Sequence, residues 1–386
     1  MRLHFRSPIS IIVMLKKMPL KYHILRISLM SELDQSICTE AKLIYTNQYF
    51  ISLQVLVIIL NISGIIQCTF ITLFIASVQV FHINFRILFF NLSMALIIRS
   101  FLTLYRSSRY LVNIIRFTDS CELAAQEPFC FVQSVVNKTP LEASAFCFLA
   151  IGLERLLACL VYCRYEHCRL PIFGVFLALL PWLYPLIEMI DLLSSPMRQN
   201  IYLAYCSSFT SSAVRISSLI YISMPSVIFC AILCIIVFIL SKRRLTLSVT
   251  GRMQSLSSRF QLKENIHSCR SLAVASFTYM TTSLTDMSIV LVMSRFLDDD
   301  HIKDANLRQA IIKEFASLSM PIFVNIYSLI FICGHQYFKH RTISLLCCRR
   351  FDNKKSKSKI APPMSIYSHM EIMAKIWDNE RQMFNV

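Results

Sequence analysis

Few residues of this 386-residue chain have the types and spacing that catalysis or metal binding requires. Cys163, His167 and Cys168 supply only three local ligands, whereas a structural zinc site needs four at characteristic spacing. The acidic run at 298–300 lacks the glycine of a calcium-binding loop, and the five glycines of the chain form no phosphate-binding motif. We therefore expect no enzyme activity, no metal site and no cofactor.

Three positions carry charge where apolar residues predominate. Glu154-Arg155 closes an apolar stretch, and an acid–arginine pair at a membrane boundary can hold the arginine in a resting state and release it on activation. The alternative is simple snorkelling of Arg155 to the interface. Arg99 and Asp286 lie inside two other apolar stretches, where charge is costly and functional by default. We expect them to pair with each other or to line a ligand pocket, unless each snorkels to the outer interface.

The elements that carry these residues are membrane helices. The chain is 55% hydrophobic and only 16% charged, against about a quarter charged in soluble domains. Seven stretches approach the roughly 20 residues that span a bilayer. We predict spans at Tyr49–Val78, Ile87–Tyr105, Pro140–Val161, Pro171–Leu193, Ile216–Leu240, Ser271–Ser294 and Phe315–Phe338. The fold class is therefore an all-α, polytopic membrane protein, a seven-transmembrane helix bundle.

Basic residues set the orientation of this bundle. With the N-terminus outside and the C-terminus inside, the cytoplasmic loops and tail hold more than twice as many Lys and Arg as the outer loops. Residues 1–48 then form an outer tail, 49–338 the membrane domain and 339–386 a basic cytoplasmic tail. Residues 1–29 are basic and contain no acid, which suits an extension or a weak targeting segment better than a translocated tail.

The cytoplasmic loops contain recognisable residues. Glu154-Arg155 is followed by Tyr165-Glu166 and Arg169, and the third loop contains Arg259-Phe260-Gln261 and Glu264-Asn265-Ile266. This set resembles the class epsilon serpentine receptors of nematodes, a family of chemosensory seven-helix G-protein-coupled receptors. The resemblance covers about Tyr49 to Lys339.

The resemblance implies a function and its partners. Glu154 and Arg155 would be the activation switch. The contacts with a heterotrimeric G protein would be Tyr165, Glu166, Arg169, Arg259, Phe260, Gln261, Glu264 and Asn265. A small external ligand would bind in the outer half of the bundle, in the plasma membrane of sensory neurons. The alternative function is a ligand-gated channel or a small-molecule transporter, although no path through the bundle is evident.

Two groups of cysteines lie on opposite sides of this predicted membrane. Cys38, Cys121, Cys130 and Cys206 fall on the oxidising outer face, where four cysteines allow three connectivities. A bridge from Cys121 or Cys130 to Cys206 would tie helix three to the second outer loop, as in many serpentine receptors. Cys347 and Cys348 lie beside a lysine- and arginine-rich tail, a setting that suits palmitoylation and attraction to anionic lipid. In a membrane protein we do not expect this basic tail to bind nucleic acid.

Overall fold

The computed structural model describes residues 35–77, 81–116, 120–161, 171–194, 202–206, 222–250, 256–297 and 305–334. The helices in order are α1 (35–46), α2 (Gln48–Ser77), α3 (Ile83–Arg116), α4 (Glu127–Leu160), α5 (Ile172–Ser194), α6 (Met224–Thr250), α7 (Leu256–Leu297), α8 (Ala305–Ala316) and α9 (Ser319–Gly334), with a 3₁₀ turn at Ser120–Leu123 before α4. Strands β1 (Ala125–Gln126) and β2 (Tyr202–Leu203) form one short antiparallel pair.

The helices close into a ring around a shared core. Along the ring, α2 packs on α3, α3 on α4, α4 on α6, α6 on α7, α7 on α9, and α9 back on α2. Helix α5 packs outside this ring on α3 and α4. Helix α4 also touches α7, so it contacts α3, α5, α6 and α7 and forms the centre of the bundle.

Apolar side chains on the outside of the ring show that the bundle faces lipid. Helix α5 leaves Phe176, Leu179, Ile187 and Ile190 largely exposed, while Gly174 and Leu177 are buried on its inner face. A soluble protein rarely exposes so large an apolar surface. Six described segments are long and apolar enough to cross a membrane: α2, α3, α4, α5, the stretch Met224–Thr246 of α6, and the stretch Asn306–Gly334 that contains α8 and α9. The predicted all-α polytopic bundle is confirmed.

Helix α7 contains the sixth predicted span but is not among these six segments. Serines and threonines interrupt its apolar residues, for example Thr281, Thr282, Ser283 and Thr285, and Asp286 follows them. Its inner face is nevertheless part of the core. Cys269, Leu272, Ala275 and Tyr279 are all buried.

The helix ends near the predicted outer face differ most from the sequence-based boundaries. Helix α3 continues past Tyr105 to Arg116, and α4 begins at Glu127 rather than at Pro140. A proline in the first turn and the acidic Glu127 favour a helix start there. The predicted ends at Tyr105 and Pro140 were wrong because they assumed that the polar residues beyond them were solvated.

The seventh predicted span, Phe315–Phe338, begins in the last two residues of one helix and continues in a second, and its residues 335–338 lie outside the described part. Helix α8 ends at Ala316, a turn occupies Ser317 and Leu318, and α9 follows. Pro321 explains the break, since it has no N–H to donate to the carbonyl four residues earlier. Much of α8 had been assigned to an outer loop, and its inclusion in the bundle brings Glu314 inside.

Candidate functional sites

The predicted switch residues form a buried network that joins α4 to α7. The Arg155 guanidinium donates from Nε and Nη2 to the two Glu154 carboxylate oxygens at 2.6 and 2.7 Å. Its Nη1 reaches Asn265 at 3.0 Å and Glu264 at 3.3 Å, both on α7. Arg155 is only 1% exposed. The arginine thus bridges an acid on its own helix and an acid on the neighbouring helix.

An aromatic ring also holds this network in place. The Arg155 guanidinium carbon lies 4.5 Å from the centre of the Phe85 ring on α3, a cation–π contact. Glu264 precedes the predicted sixth span, and its burial raises its pKa to about 7, although the nearby Arg155 charge lowers it. The nearby Glu154 carboxylate also raises the pKa of Glu264, because it repels a second negative charge. We call Glu154, Arg155, Glu264 and Asn265 the α4–α7 bridge.

The other predicted contacts with a G protein cannot be placed in the same way. Tyr165, Glu166 and Arg169 lie outside the described residues. Arg259, Phe260 and Gln261 belong to the first turns of α7, but the structure describes only their backbone. Cys347 and Cys348, like residues 1–29, also lie outside the described part.

Arg99 and Asp286 lie on α3 and α7, and both are more than nine-tenths buried. They do not come within ion-pair distance in the described structure. Arg99 Nε and Nη1 and Asp286 Oδ1 are buried without a hydrogen-bond partner there. Asp286 still lies within electrostatic reach of Arg99 and Arg106. The geometry therefore leaves polar atoms without hydrogen-bond partners inside the half of the bundle that the sequence assigns to the outside.

A buried ion pair near these residues was missed by the sequence analysis. Arg106 on α3 donates to Glu314 on α8 at 2.8 Å, with exposures of 1% and 0%. The Tyr205 hydroxyl donates to the other oxygen of Glu314. Arg106 had been counted among the residues of an outer loop. Arg99, Arg106, Arg109 and Arg116 are spaced by seven, three and seven residues, so they share one side of a helix. That spacing was the available signal.

Lys138 was also assigned to an outer loop, and it too is inside the bundle. Its ammonium lies 3.2 Å from Glu142 one turn along α4 and 2.5 Å from Glu188 on α5. Asn137, the acceptor of a formal glycosylation motif with Lys138 and Thr139, is only 2% exposed within the same helix.

Two disulfides close the end of the bundle that the sequence assigns to the outside. Cys38 on α1 bonds to Cys121, and Cys130 on α4 bonds to Cys206 just after β2. The structure thus joins Cys206 to Cys130 and leaves Cys121 for Cys38. The Tyr110 hydroxyl donates to the Cys206 carbonyl, so helix α3 is tied to the same point.

A cavity of about 300 Å³ lies beneath these disulfides. This is at the small end of the range for small-molecule sites. Its walls come from α1, α3, the 3₁₀ turn, β1 and the start of α4, and they include three of the five arginines of α3. We call it the outer cavity.

Comparison with known proteins identifies the family of this helical membrane bundle. The chain matches the family model described as "Serpentine type 7TM GPCR receptor class ab chemoreceptor" over residues 27–346. No curated protein matches the chain. The resemblance to serpentine chemoreceptors is thus confirmed, but the class matched is ab and not the class epsilon that the loop residues suggested. The chain belongs to the serpentine 7TM chemoreceptor family, class ab.

Proposed function

We propose that this multi-pass membrane protein is a receptor that binds a small external molecule in the outer half of its bundle and activates a heterotrimeric G protein. The observation that carries the proposal is the α4–α7 bridge. Its buried arginine contacts carboxylates on both α4 and α7. The separation of these two helices is therefore coupled to whether the arginine keeps both contacts. The family supports a chemosensory role in general terms.

The α4–α7 bridge holds the resting state. A ligand that favours separation of α7 from α4 removes the Glu264 and Asn265 contacts of Arg155, while Glu154 moves with Arg155 because the two are adjacent on one helix. The freed arginine and the cytoplasmic ends of the helices then meet the G protein. Tyr165, Glu166, Arg169, Arg259, Phe260 and Gln261 are the further contacts that we propose for it.

The ligand acts from the opposite end of the same helices. Helix α7 carries both Glu264 and Asp286, so a ligand contact near Asp286 and Arg99 can shift the helix that closes the α4–α7 bridge. The buried polar atoms of these two residues without partners support a ligand contact there. We also propose that the basic tail holds anionic lipid, that Cys347 and Cys348 are palmitoylated, and that the receptor works in the plasma membrane of sensory neurons.

Nucleotide exchange tests the proposal without a known ligand. The Glu264→Gln variant removes the charge that Arg155 meets on α7 and keeps the side-chain shape. With co-expressed Gα subunits, we expect its basal GTPγS incorporation to rise about five-fold or more, since couplings of this kind are typically 1–3 kcal/mol. Arg270→Gln changes one charge at an exposed position of α7 and serves as the control, with unchanged exchange.

A second variant separates loss of the α4–α7 bridge from loss of coupling. Arg155→Ala should abolish the exchange gained by Glu264→Gln when the two are combined, because Arg155 is itself a proposed contact. If none of these variants differs from the wild type with any Gα subunit while all reach the cell surface, the G-protein proposal is wrong. A ligand-evoked current without nucleotide exchange would instead favour the channel alternative.

A further inference from the structure

The outer cavity is strongly basic for its size. Arg106, Arg109 and Arg116 all line it, and among the described lining residues Glu122 is the one acid. Arg106 already meets Glu314 behind the wall. Among the described residues that line the cavity, basic side chains thus outnumber acidic ones.

Arg109 is the arginine best placed to meet a ligand. Its guanidinium carbon lies 3.8 Å from the centre of the Phe129 ring, a stacking contact that fixes the plane of the group. No carboxylate of a described residue lies within 4 Å of it. Because the ring covers one face of the guanidinium, the N–H donors at its edge remain available. They can bind a planar anion through two parallel hydrogen bonds.

Aromatic side chains complete the cavity. Tyr45 and Tyr110 lie on the same wall, with ring centres 5.7 Å apart in an edge-on arrangement. Phe129 is the third ring. An arginine fork beside three rings suits a ligand with a carboxylate at one end and a flat apolar group at the other.

We propose that the outer cavity binds a small aromatic carboxylate, with its carboxylate on Arg109 and its ring among Tyr45, Tyr110 and Phe129. Binding in this cavity needs no G protein. Only the signalling effect of the bound ligand rests on the proposed receptor function. The site lies nearer the disulfides than Arg99 and Asp286. Arg106 lines the cavity, and its contact with Glu314 joins α3 to α8. A bound ligand can therefore affect how these two helices pack.

Binding to the purified full chain in lipid nanodiscs tests the proposal. The probes are benzoate, its neutral analogue benzamide, and inorganic sulfate. We expect saturable benzoate binding that is about ten-fold tighter than that of benzamide, because a charge-assisted pair contributes about 1.5–3 kcal/mol. Arg109→Gln should weaken benzoate binding about ten-fold or more and leave the weak benzamide binding unchanged. Arg308→Gln, an exposed arginine of α8 that does not line the cavity, should change neither.

Three results would overturn the proposal: no saturable benzoate binding, equal binding of benzoate and benzamide, or equal benzoate binding in the wild type and Arg109→Gln. Sulfate that binds more tightly than benzoate would also overturn it, since the rings would then have no role. If Arg109→Gln does not fold, Phe129→Leu keeps the arginine. It should weaken benzoate binding several-fold more than sulfate binding, and equal effects on the two would contradict the proposal.

The outcome is separable from that of the receptor proposal. Benzoate that binds as expected, together with unchanged nucleotide exchange in the α4–α7 bridge variants, would retain the anion site and reject G-protein coupling. Exchange that responds to the Glu264→Gln change, together with no benzoate binding, would retain the receptor and reject this site.

Discussion

At the scale of single residues, most of the buried charges described in this bundle lie beside an opposite charge, and Arg99 and Asp286 are the exceptions discussed above. Arg106 with Glu314, Lys138 with Glu142 and Glu188, and Arg155 with Glu154 and Glu264 are all buried pairs or triads. Taking such groups out of water is expensive, and removing one partner leaves the other charge uncompensated. Each buried pair therefore specifies which helices are neighbours.

Loss of Glu314 should be severe for this reason. We expect Glu314→Gln to lower the free energy of unfolding by about 3–5 kcal/mol, because buried Arg106 keeps its charge and loses its counter-ion. The measurement is the melting temperature of the purified receptor in detergent. Glu40→Gln is the matched control, since Glu40 accepts an exposed hydrogen bond from Asn306. Equal melting temperatures for the two variants would show that Arg106 does not depend on Glu314.

At the scale of elements, close contact between helices depends on small side chains. Helix α5 approaches α3 at Gly174, where an added Cβ would lie 2.9 Å from the backbone Cα of Asn84. A flexible side chain could move aside, but the Asn84 backbone belongs to the first turn of α3 and cannot. Small residues at such crossings let membrane helices pack without a hydrophobic driving force between them.

The Gly174→Ala variant should therefore displace α5. We expect it to cost about 1–3 kcal/mol through overpacking, seen as a lower melting temperature and less receptor at the surface. Val175→Ala changes the adjacent, lipid-exposed position and should have little effect. A Gly174→Ala receptor as stable as the wild type would mean that α5 and α3 are farther apart than described.

The two disulfides are the second element-scale feature. Peptide mapping under non-reducing conditions should recover Cys38 linked to Cys121 and Cys130 linked to Cys206. Cys206→Ser should lower stability by about 2–5 kcal/mol, because it removes the bond to Cys130. Cys333→Ser, at an exposed free cysteine, is the control. Recovery of Cys121 linked to Cys206 would contradict the pairing.

At the scale of the whole molecule, the two ends of the bundle differ in chemistry. One end holds the disulfides, the outer cavity and four arginines along α3, and the other holds the α4–α7 bridge. Between them lies an apolar core that contains Phe89, Phe148, Phe323 and Tyr327. A ligand signal would therefore have to pass through helix positions, since the buried charges form no continuous chain across the described bundle.

The orientation of the bundle is open to a direct test. Engineered glycosylation sites on the exposed face of α1, between 241 and 270, and after Lys359 report which segments reach the lumen. We expect modification at α1 alone, because basic residues concentrate at the other two places. Modification only between 241 and 270 and after Lys359 would place the basic segments outside. That result would contradict the G-protein proposal.

The class of fold could be predicted from the sequence alone, and Glu154-Arg155 could be identified there as a candidate switch. A long charge-free run such as 49–78 can satisfy its backbone hydrogen bonds in lipid as a helix. Glu154-Arg155 was recognisable at the end of another apolar run. The partners of Arg155 on α7 lie more than 100 residues away, so no local pattern could assign them.

The location of the polar residues near the disulfides could be known only from contacts between helices. Arg106, Lys138 and Glu314 are charged residues of the kind that is common in loops. The predicted helices therefore ended or began beside them. They extend the helices because each meets an opposite charge from another element, which removes most of the cost of burial. Local composition measures how much a residue prefers water, whereas the fold decides whether a partner can replace that water.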